Sequence, residues 1–184
     1  MIPVTILQSA AESRPDWVTR CMTSVRDWSR RHGYGYHCIG DELFDCVTPE
    51  LCTKLHDRRP ILADLARPRW IEAELATRGG RVVWIDADTL VVDPVWQVPD
   101  SEHTIFGEEC WVQPTADGAW RAYQSPHNAF MGFTAASPVL SFLAYLSESI
   151  IERADAAHIA PQMVGPKLLK ALNNLAQFTL VPEA

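Results

Sequence analysis

The stretch RVVWIDADTLVVDP, residues 81–94, decides the fold of this chain, because it joins a short apolar segment directly to two carboxylates. Residues 81–85 are mostly β-branched or aromatic and follow the pair Gly79-Gly80. This pattern is typical of a buried strand in a parallel sheet. Open α/β sheets bind their ligands at the carboxyl ends of such strands, so the residues after Ile85 are candidates for a functional site.

Asp86 and Asp88 stand one residue apart at the end of this predicted strand. Side chains at i and i+2 of a strand share a face, so the spacing predicts that both carboxylates aim at one place. Two like charges this close repel each other, and burial strengthens the effect. A hard cation such as Mg²⁺ or Mn²⁺ would relieve it. The alternative is that Asp86 caps a turn and Asp88 lies in solvent.

Composition and charge narrow the class of protein. The chain has 184 residues, 47% of them hydrophobic and 21% charged, which predicts one globular domain spanning 1–184. The net charge is −7 and no stripe of Lys and Arg is evident, which argues against a nucleic-acid partner. No apolar run is long enough to span a bilayer, and the N-terminus lacks the features of a signal peptide. Five scattered Cys predict neither a zinc site nor a disulfide framework, so we expect a cytoplasmic protein.

Hydrophobic periodicity predicts an alternation of strands and helices. We expect the helix over 61–78 to be kinked or split at Pro68. Residues 41–59 are expected to form a loop with a short helix, and 111–124 show little regular period. The other predicted elements are strands over 4–7, 34–39, 81–85, 104–106, 129–133 and 178–181, and helices over 16–31, from Ser137-Pro138 and from Gly165-Pro166. This order predicts an α/β fold whose first half, 1–94, binds a nucleotide and whose second half, 95–184, completes the site.

The string Ile85-Asp86-Ala87-Asp88-Thr89 is similar to a motif in two families. One is the haloacid-dehalogenase-type phosphatases, in which Asp-X-Asp-X-Thr follows the first strand. Here the motif lies in the middle of the chain, and the downstream acidic pair of that family is missing. The other is the GT-A glycosyltransferases, which carry an Asp-X-Asp motif after an apolar strand.

The resemblance to GT-A glycosyltransferases extends along most of the chain. Each piece is weak alone, but the pieces follow the family's order. They are residues 2–8, like a first GT-A strand; 67–80, like the helix before the motif in transferases of the Och1 and capsular-polysaccharide kind; 127–133, like an Asn-X-Phe-Met segment; and 164–167, like a late Thr-Gly-Pro. The resemblance implies a GT-A-like (Rossmann-like) fold with a mainly parallel sheet flanked by helices.

The resemblance also implies roles for individual residues. Asp88 would bind a Mn²⁺ or Mg²⁺ ion that bridges the diphosphate of a UDP- or GDP-sugar, and Asp86 would contact the ribose or the metal through water. Asn128 would contact the donor sugar or a saccharide acceptor, or it caps a local turn. Gln8 would touch the nucleobase, or it lies at a solvated edge. Arg67 and Arg69 would meet the phosphates, or they are solvated. Weaker candidates are His127, His158, Glu108, Glu109, Trp96, Trp111 and Trp120.

Two departures from the family qualify this interpretation. Such domains are usually longer, and a late His that helps to hold the metal has no counterpart after His158. We therefore expect a chain truncated at its C-terminus, a third metal ligand from elsewhere, or a catalytically inactive GT-A-like binding module. The resemblance slightly favours a retaining transfer.

Overall fold

A six-stranded sheet forms the centre of the structure, which is a computed structural model that describes residues 2–100 and 102–184. Its strand order is β2-β1-β3-β5-β4-β6. The strands are β1 (Val4–Ser9), β2 (Gly35–Ile39), β3 (Arg81–Ile85), β4 (Thr104–Pro114), β5 (Trp120–Thr134) and β6 (Thr179–Val181).

Five of the six strands run in the same direction. β1 pairs in parallel with β2 and β3, and β4 pairs in parallel with β6. Only β5 runs the other way, between β3 and β4. The predicted fold class, a mixed and mainly parallel sheet flanked by helices, is therefore confirmed. Both predicted halves of the chain contribute strands to this one sheet.

Helices cover both faces of the sheet. The helices are α1 (Asp16–Arg31), α2 (Pro49–Lys54), α3 (Arg59–Arg78), α4 (Leu140–Arg153) and α5 (Pro166–Ala176), with short 3₁₀ helices at Asp41–Cys46 and Ala156–His158. Val25 and Trp28 of α1 pack on one face, and Leu65 of α3 and Leu143 of α4 pack on the other. None of the helices in the described part of the chain is long and apolar enough to cross a membrane.

Two expectations about helices need correction. Of the two outcomes expected at Pro68, the split does not occur, because α3 continues from Arg59 to Arg78. The next helix does not begin at Ser137-Pro138; α4 begins at Leu140. The reason is local, because the Ser137 hydroxyl accepts a hydrogen bond from the Val139 N–H at 3.2 Å and closes a turn ahead of the helix.

The expectation that residues 111–124 lack regular structure is also wrong. β4 and β5 pair continuously from Gly107 and His127 to Pro114 and Trp120. We call this two-stranded segment, residues 107–127, the β4–β5 ribbon. Most of its side chains are exposed on both faces, so its strands lack the alternation of apolar and polar residues by which a half-buried strand is recognised.

Candidate functional site

The turn after β3 positions the two aspartates. β3 ends at Ile85, and the Thr89 N–H donates to the Asp86 carbonyl oxygen at 3.1 Å. The expectation that both carboxylates follow the pleat of an extended strand is therefore wrong. The turn nevertheless lets Asp86 and Asp88 line the same cavity. Asp86 is partly buried, and Asp88 is exposed.

The Asp86 carboxylate is held by two donors. The indole Nε1 of Trp84 donates to Asp86 Oδ1 at 2.7 Å. A guanidinium nitrogen of Arg67 lies 3.1 Å from the carboxylate oxygens. The same guanidinium lies over the Trp84 ring, 5.6 Å from its centre. Asp86 is thus fixed in orientation before any ligand binds.

Arg67 also joins Asp86 to a second buried carboxylate. It lies one turn from Asp64 on α3 and donates to Asp64 Oδ1 at 3.3 Å. Asn128 Nδ2 donates to the same oxygen at 2.6 Å, and the Asn128 carbonyl oxygen accepts from Arg67 at 3.4 Å. We call Asp64, Arg67, Asp86 and Asn128 the site cluster.

The site cluster has more negative than positive charge. Burial raises the pKa of Asp86 above its usual value, and the nearby Asp88 carboxylate adds to that rise, although Arg67 and Trp84 oppose it. Burial likewise raises the pKa of Asp64, against the effects of Arg67 and Asn128. One guanidinium therefore compensates two buried carboxylates. Such a site favours a ligand that brings a cation or hydrogen-bond donors.

A bulge in β5 brings Asn128 into the cluster. Phe106 of β4 pairs with Met131, but the next residue, Gly107, pairs with His127. Residues 128–130 therefore have no partner on β4. The bulge lies where β3 ends, and its Ala129 carbonyl oxygen accepts from the Asp86 N–H at 2.8 Å. Bulges next to active sites commonly re-aim a side chain in this way.

The start of α5 closes the other side of the cluster. A Cβ atom at Gly165 would lie 2.5 Å from Asp64 Oδ2 and 3.1 Å from Asn128 Nδ2. Glycine is therefore needed for the close approach of α5 to these two side chains. The sequence predicts this helix start correctly, but the contact it makes follows only from the structure.

Gln8 does not lie where a base could reach it. Its side chain is completely buried at the end of β1. Gln8 Nε2 donates to the Asp86 carbonyl oxygen at 3.1 Å, and its Oε1 accepts from the Tyr36 hydroxyl at 3.0 Å. Burial raises the pKa of Tyr36 to about 12, which further favours the protonated hydroxyl that donates this bond. The expectation of a nucleobase contact is corrected: Gln8 holds the backbone of Asp86.

Arg69 points away from the site cluster. Its guanidinium donates to both Glu148 oxygens, at 2.8 and 2.6 Å, and to Glu72 at 3.0 Å. The two bonds to Glu148 tie α3 to α4. Residues 67 and 69 lie about 200° apart around a helix, so only one of them can face the site. The expected phosphate contact of Arg69 is corrected on this ground.

The weaker candidates fall into separate places. His158 is exposed and pairs with Asp155, whereas His127 lies close enough to Asp86 to make a small contribution that lowers the pKa of that carboxyl. Trp96 packs between Trp28 and Phe130. The remaining candidates, Glu108, Glu109, Trp111 and Trp120, belong to the β4–β5 ribbon.

Two cavities meet at Arg67 and Asp86. The larger, of about 660 Å³, lies between the start of α3, Asn128 and residues 159–166, and its walls include Asp64 and Gln162. The smaller, of about 320 Å³, is lined by Trp17, Leu43 and the 86–88 turn. Asp64 and Trp17 were not predicted as site residues. The spacing of Asp64 three residues before Arg67, on the same helix face, was a sequence signal for Asp64.

The residues present fit a divalent cation that is shared with a ligand. In residues 2–100 and 102–184, no three His, Cys, Asp or Glu side chains come close enough to hold a metal by themselves. Mg²⁺, however, is usually held by one or two carboxylates together with substrate phosphates. Asp88 is exposed beside Asp86, whose oxygens already accept from Trp84 and Arg67. Asp88 is therefore the better candidate for a direct ligand.

Comparisons with known proteins find similarity among solved structures. No family model matches the sequence, and no curated protein matches it. Among solved structures, the chain is similar to the crystal structure of a glycosyltransferase involved in the glycosylation of the major capsid of PBCV-1. The TM-score is 0.49 and the sequence identity is 12%, over 79% of this chain and 67% of that one.

Proposed function

We propose that the protein is a glycosyltransferase that moves a sugar from a nucleoside diphosphate sugar to a saccharide acceptor, with Mn²⁺ or Mg²⁺ as cofactor. The observation that best supports this is the position of the site cluster where two cavities meet, at the carboxyl ends of parallel strands. A donor of this class has a nucleoside at one end, a sugar at the other and a diphosphate between them. The two cavities and their shared wall match that division.

The smaller cavity suits the nucleoside. Trp17 is 57% exposed at the start of α1 and offers an aromatic face on which a base can stack. Leu43 supplies a further apolar surface, and Ser9 supplies a hydroxyl. The buried Gln8 contributes only indirectly, by fixing the turn that carries the aspartates.

The larger cavity suits the sugar. Sugar hydroxyls are hydrogen-bond donors and acceptors, and the walls of this cavity present carboxylate, amide and guanidinium groups. Arg67 and Asn128 both donate to Asp64 Oδ1, so Oδ2, which lies beside the start of α5, accepts no hydrogen bond among the described residues. It is available to accept from a hydroxyl group. Asn128 is held by its hydrogen bond to Asp64 and lines the same cavity.

The shared wall suits the diphosphate. Arg67 faces both cavities and can donate to phosphate oxygens. Asp88, with Asp86 behind it, would hold the divalent cation. When bound, that cation would act as a Lewis acid that stabilises the departing nucleoside diphosphate.

Two alternatives have less support. A haloacid-dehalogenase-type phosphatase needs a lysine beside its aspartates, and among the described residues no lysine lines either cavity. A catalytically inactive binding module would keep the nucleotide site but lack turnover. Activity measurements distinguish all three.

The test is turnover of a panel of UDP- and GDP-sugars with Mn²⁺ and with chelator. We expect metal-dependent release of nucleoside diphosphate from at least one donor, which is lost in Asp88→Asn. The control is Asp27→Asn, an exposed carboxylate on α1 remote from both cavities. Nucleotide binding without turnover would favour the inactive module. Metal-dependent hydrolysis of an aryl phosphate that is lost in Asp86→Asn would favour the phosphatase.

A further inference from the structure

The β4–β5 ribbon projects beyond the sheet as an arm. β3 pairs with β5 only over residues 130–134, and β6 pairs with β4 only over 105–107. In the described part of the chain, no third strand pairs with the outer part of the ribbon. A turn closes its tip, where the Thr115 N–H donates to the Ala119 carbonyl oxygen at 2.7 Å. Residues 110–114 and 120–124 are exposed, so both faces of the arm are open to solvent.

One face of this arm carries an aromatic pair. Trp111 is 53% exposed and Tyr123 is 41% exposed, and the two are direct cross-strand partners. An uncovered two-stranded ribbon is only marginally stable in water, and exposed aromatic side chains are enriched at protein interfaces. The strand pairing places six side chains on this face, which we call the Trp111–Tyr123 face: Glu109, Trp111, Gln113, Arg121, Tyr123 and Ser125.

The two charges on the Trp111–Tyr123 face lie on opposite sides of the aromatic pair. Glu109 lies two residues before Trp111 on β4, and Arg121 lies two residues before Tyr123 on β5. Because the strands are antiparallel, Glu109 lies about 7 Å from the aromatic pair toward the sheet, and Arg121 lies about 7 Å from it toward the tip. Neither charge forms an ion pair with another described residue.

This arrangement is self-complementary under a two-fold axis. If two copies of the face pack with their arms pointing in opposite directions, the aromatic pairs meet at the centre. Arg121 of each copy then lies opposite the row that holds Glu109 of the other copy, so unlike charges meet at both ends. Arms pointing in the same direction would instead bring Arg121 to Arg121 and Glu109 to Glu109. One surface patch therefore suffices for the contact, because it serves both copies.

The opposite face of the arm lacks this symmetry. It carries Trp120, which is 72% exposed, and a single charge, Glu108, whose carboxylate accepts from Gln124 at 3.2 Å. Two copies of that face would present only negative charge to each other. We propose that the protein self-associates through its Trp111–Tyr123 face, as a two-fold dimer whose arms run in opposite directions. Six side chains from each copy make a small interface, so the dimer should dissociate reversibly.

The test is sedimentation equilibrium of the full chain over a range of concentrations. We expect the wild type to dimerise and Trp111→Ala to weaken the association at least tenfold. Trp120→Ala, which truncates an aromatic side chain on the opposite face of the same arm, is the matched control and should change the association less than twofold. The melting temperature is a second readout. It should rise with concentration in the wild type but not in Trp111→Ala, because dimerisation stabilises the native state by mass action.

Charge reversals test the two-fold arrangement itself. Glu109→Arg and Arg121→Glu should each weaken the homodimer at least tenfold, because each leaves like charges facing one another. The double variant exchanges the two charges, so it should associate within about threefold of the wild type. An equimolar mixture of the two single variants should form heterodimers, because one copy then carries two arginines and the other carries two glutamates on this face.

A wild type that stays monomeric at the highest concentration that remains in solution would overturn the inference. Equal losses of association in Trp111→Ala and Trp120→Ala would also overturn it, because the contact would then not prefer one face. If the mixture of single charge variants stays monomeric while both are folded by circular dichroism, the copies do not meet in the two-fold arrangement. These measurements need no nucleotide, so they test the dimer separately from the proposed function.

Discussion

At the residue scale, Arg67 compensates two carboxylates that the fold removes from water. Its guanidinium bonds to Asp64 and Asp86 and contacts the Trp84 ring. Arg69, two residues along the same helix, makes an ion pair with Glu148, and about one-third of the Arg69 side chain is exposed. The two arginines therefore allow a matched comparison of one substitution in a buried site and near the surface.

We expect Arg67→Met to lower the free energy of unfolding by about 3 kcal/mol, because it leaves Asp64 and the partly buried Asp86 without an ion-pair partner. Arg69→Met should lower the free energy of unfolding by only about 1 kcal/mol, because ion pairs that are partly exposed contribute little to stability. Only the Arg67 change should abolish nucleotide binding. Urea unfolding and calorimetry on both variants measure these effects. Equal losses of stability in the two variants would contradict the role given to Arg67.

Asp86 makes stability depend on pH. Burial raises its pKa in the folded state above the usual 3.8, so between these two values the folded protein binds more protons than the unfolded chain. The stabilisation that the raised pKa of Asp86 gives to the folded protein is complete below pH 3.8, and it is lost as the pH rises through the folded-state pKa. Asp64 contributes in the same direction.

We therefore expect Asp86→Asn, which retains an acceptor for Trp84, to melt above the wild type at pH 7 without metal. A gain of 1 kcal/mol corresponds to about 2–4 °C in a chain of this size. The difference should disappear near pH 3.5. Asp88→Asn should give a smaller gain, because Asp88 is exposed. Scanning calorimetry in chelator measures the melting temperature of both variants. If Asp86→Asn melts below the wild type at pH 7, the hydrogen bonds of the Asp86 carboxylate stabilise the fold by more than its burial costs.

At the scale of elements, the β5 bulge and the start of α5 assemble the site. The sequence predicted β3, the strand around Phe130 and the helix after Gly165, because each has a clear hydrophobic period or a helix-start signal. It did not predict the bulge, since three residues that lack a partner on one neighbouring strand leave no periodic trace. It also missed the ribbon, whose pairing depends on cross-strand contacts between exposed residues.

Gly165→Ala tests how closely α5 packs against the cluster. The added methyl group would lie 2.5 Å from Asp64 Oδ2, so Asp64 or the helix must shift. Overpacking of this kind costs about 1–3 kcal/mol. We expect affinity for a nucleotide sugar to fall further than affinity for the nucleoside diphosphate, because Asp64 lies in the sugar cavity.

Gly35→Ala on β2 is the control for this substitution, because its methyl group would lie 3.2 Å from Oγ1 of Thr5 on β1, outside both cavities. It should leave both affinities unchanged. If Gly165→Ala binds nucleotide sugars as the wild type does, Asp64 has no part in holding the sugar.

At the scale of the whole molecule, the candidate site belongs to several elements that are distant in sequence. α3 provides Asp64 and Arg67, the turn after β3 provides Asp86 and Asp88, and the bulge of β5 provides Asn128. The Asp-X-Asp motif was recognisable because its residues are adjacent in the chain. The contacts of Arg67 with Asp86 and of Asp64 with Asn128, and the burial of Gln8, depend on how α3 and β1 pack, which a local pattern does not encode.

The most direct test of the central claim is calorimetry of UDP and GDP binding to the wild type and to Asp88→Ala, with Mn²⁺ and with chelator. We predict that one of the two nucleotides binds the wild type only with Mn²⁺, and that Asp88→Ala weakens this binding at least tenfold while the variant remains folded. Equal binding by Asp88→Ala, or no binding of either nucleotide to the folded wild type, would contradict a metal-dependent nucleoside diphosphate site at the end of β3.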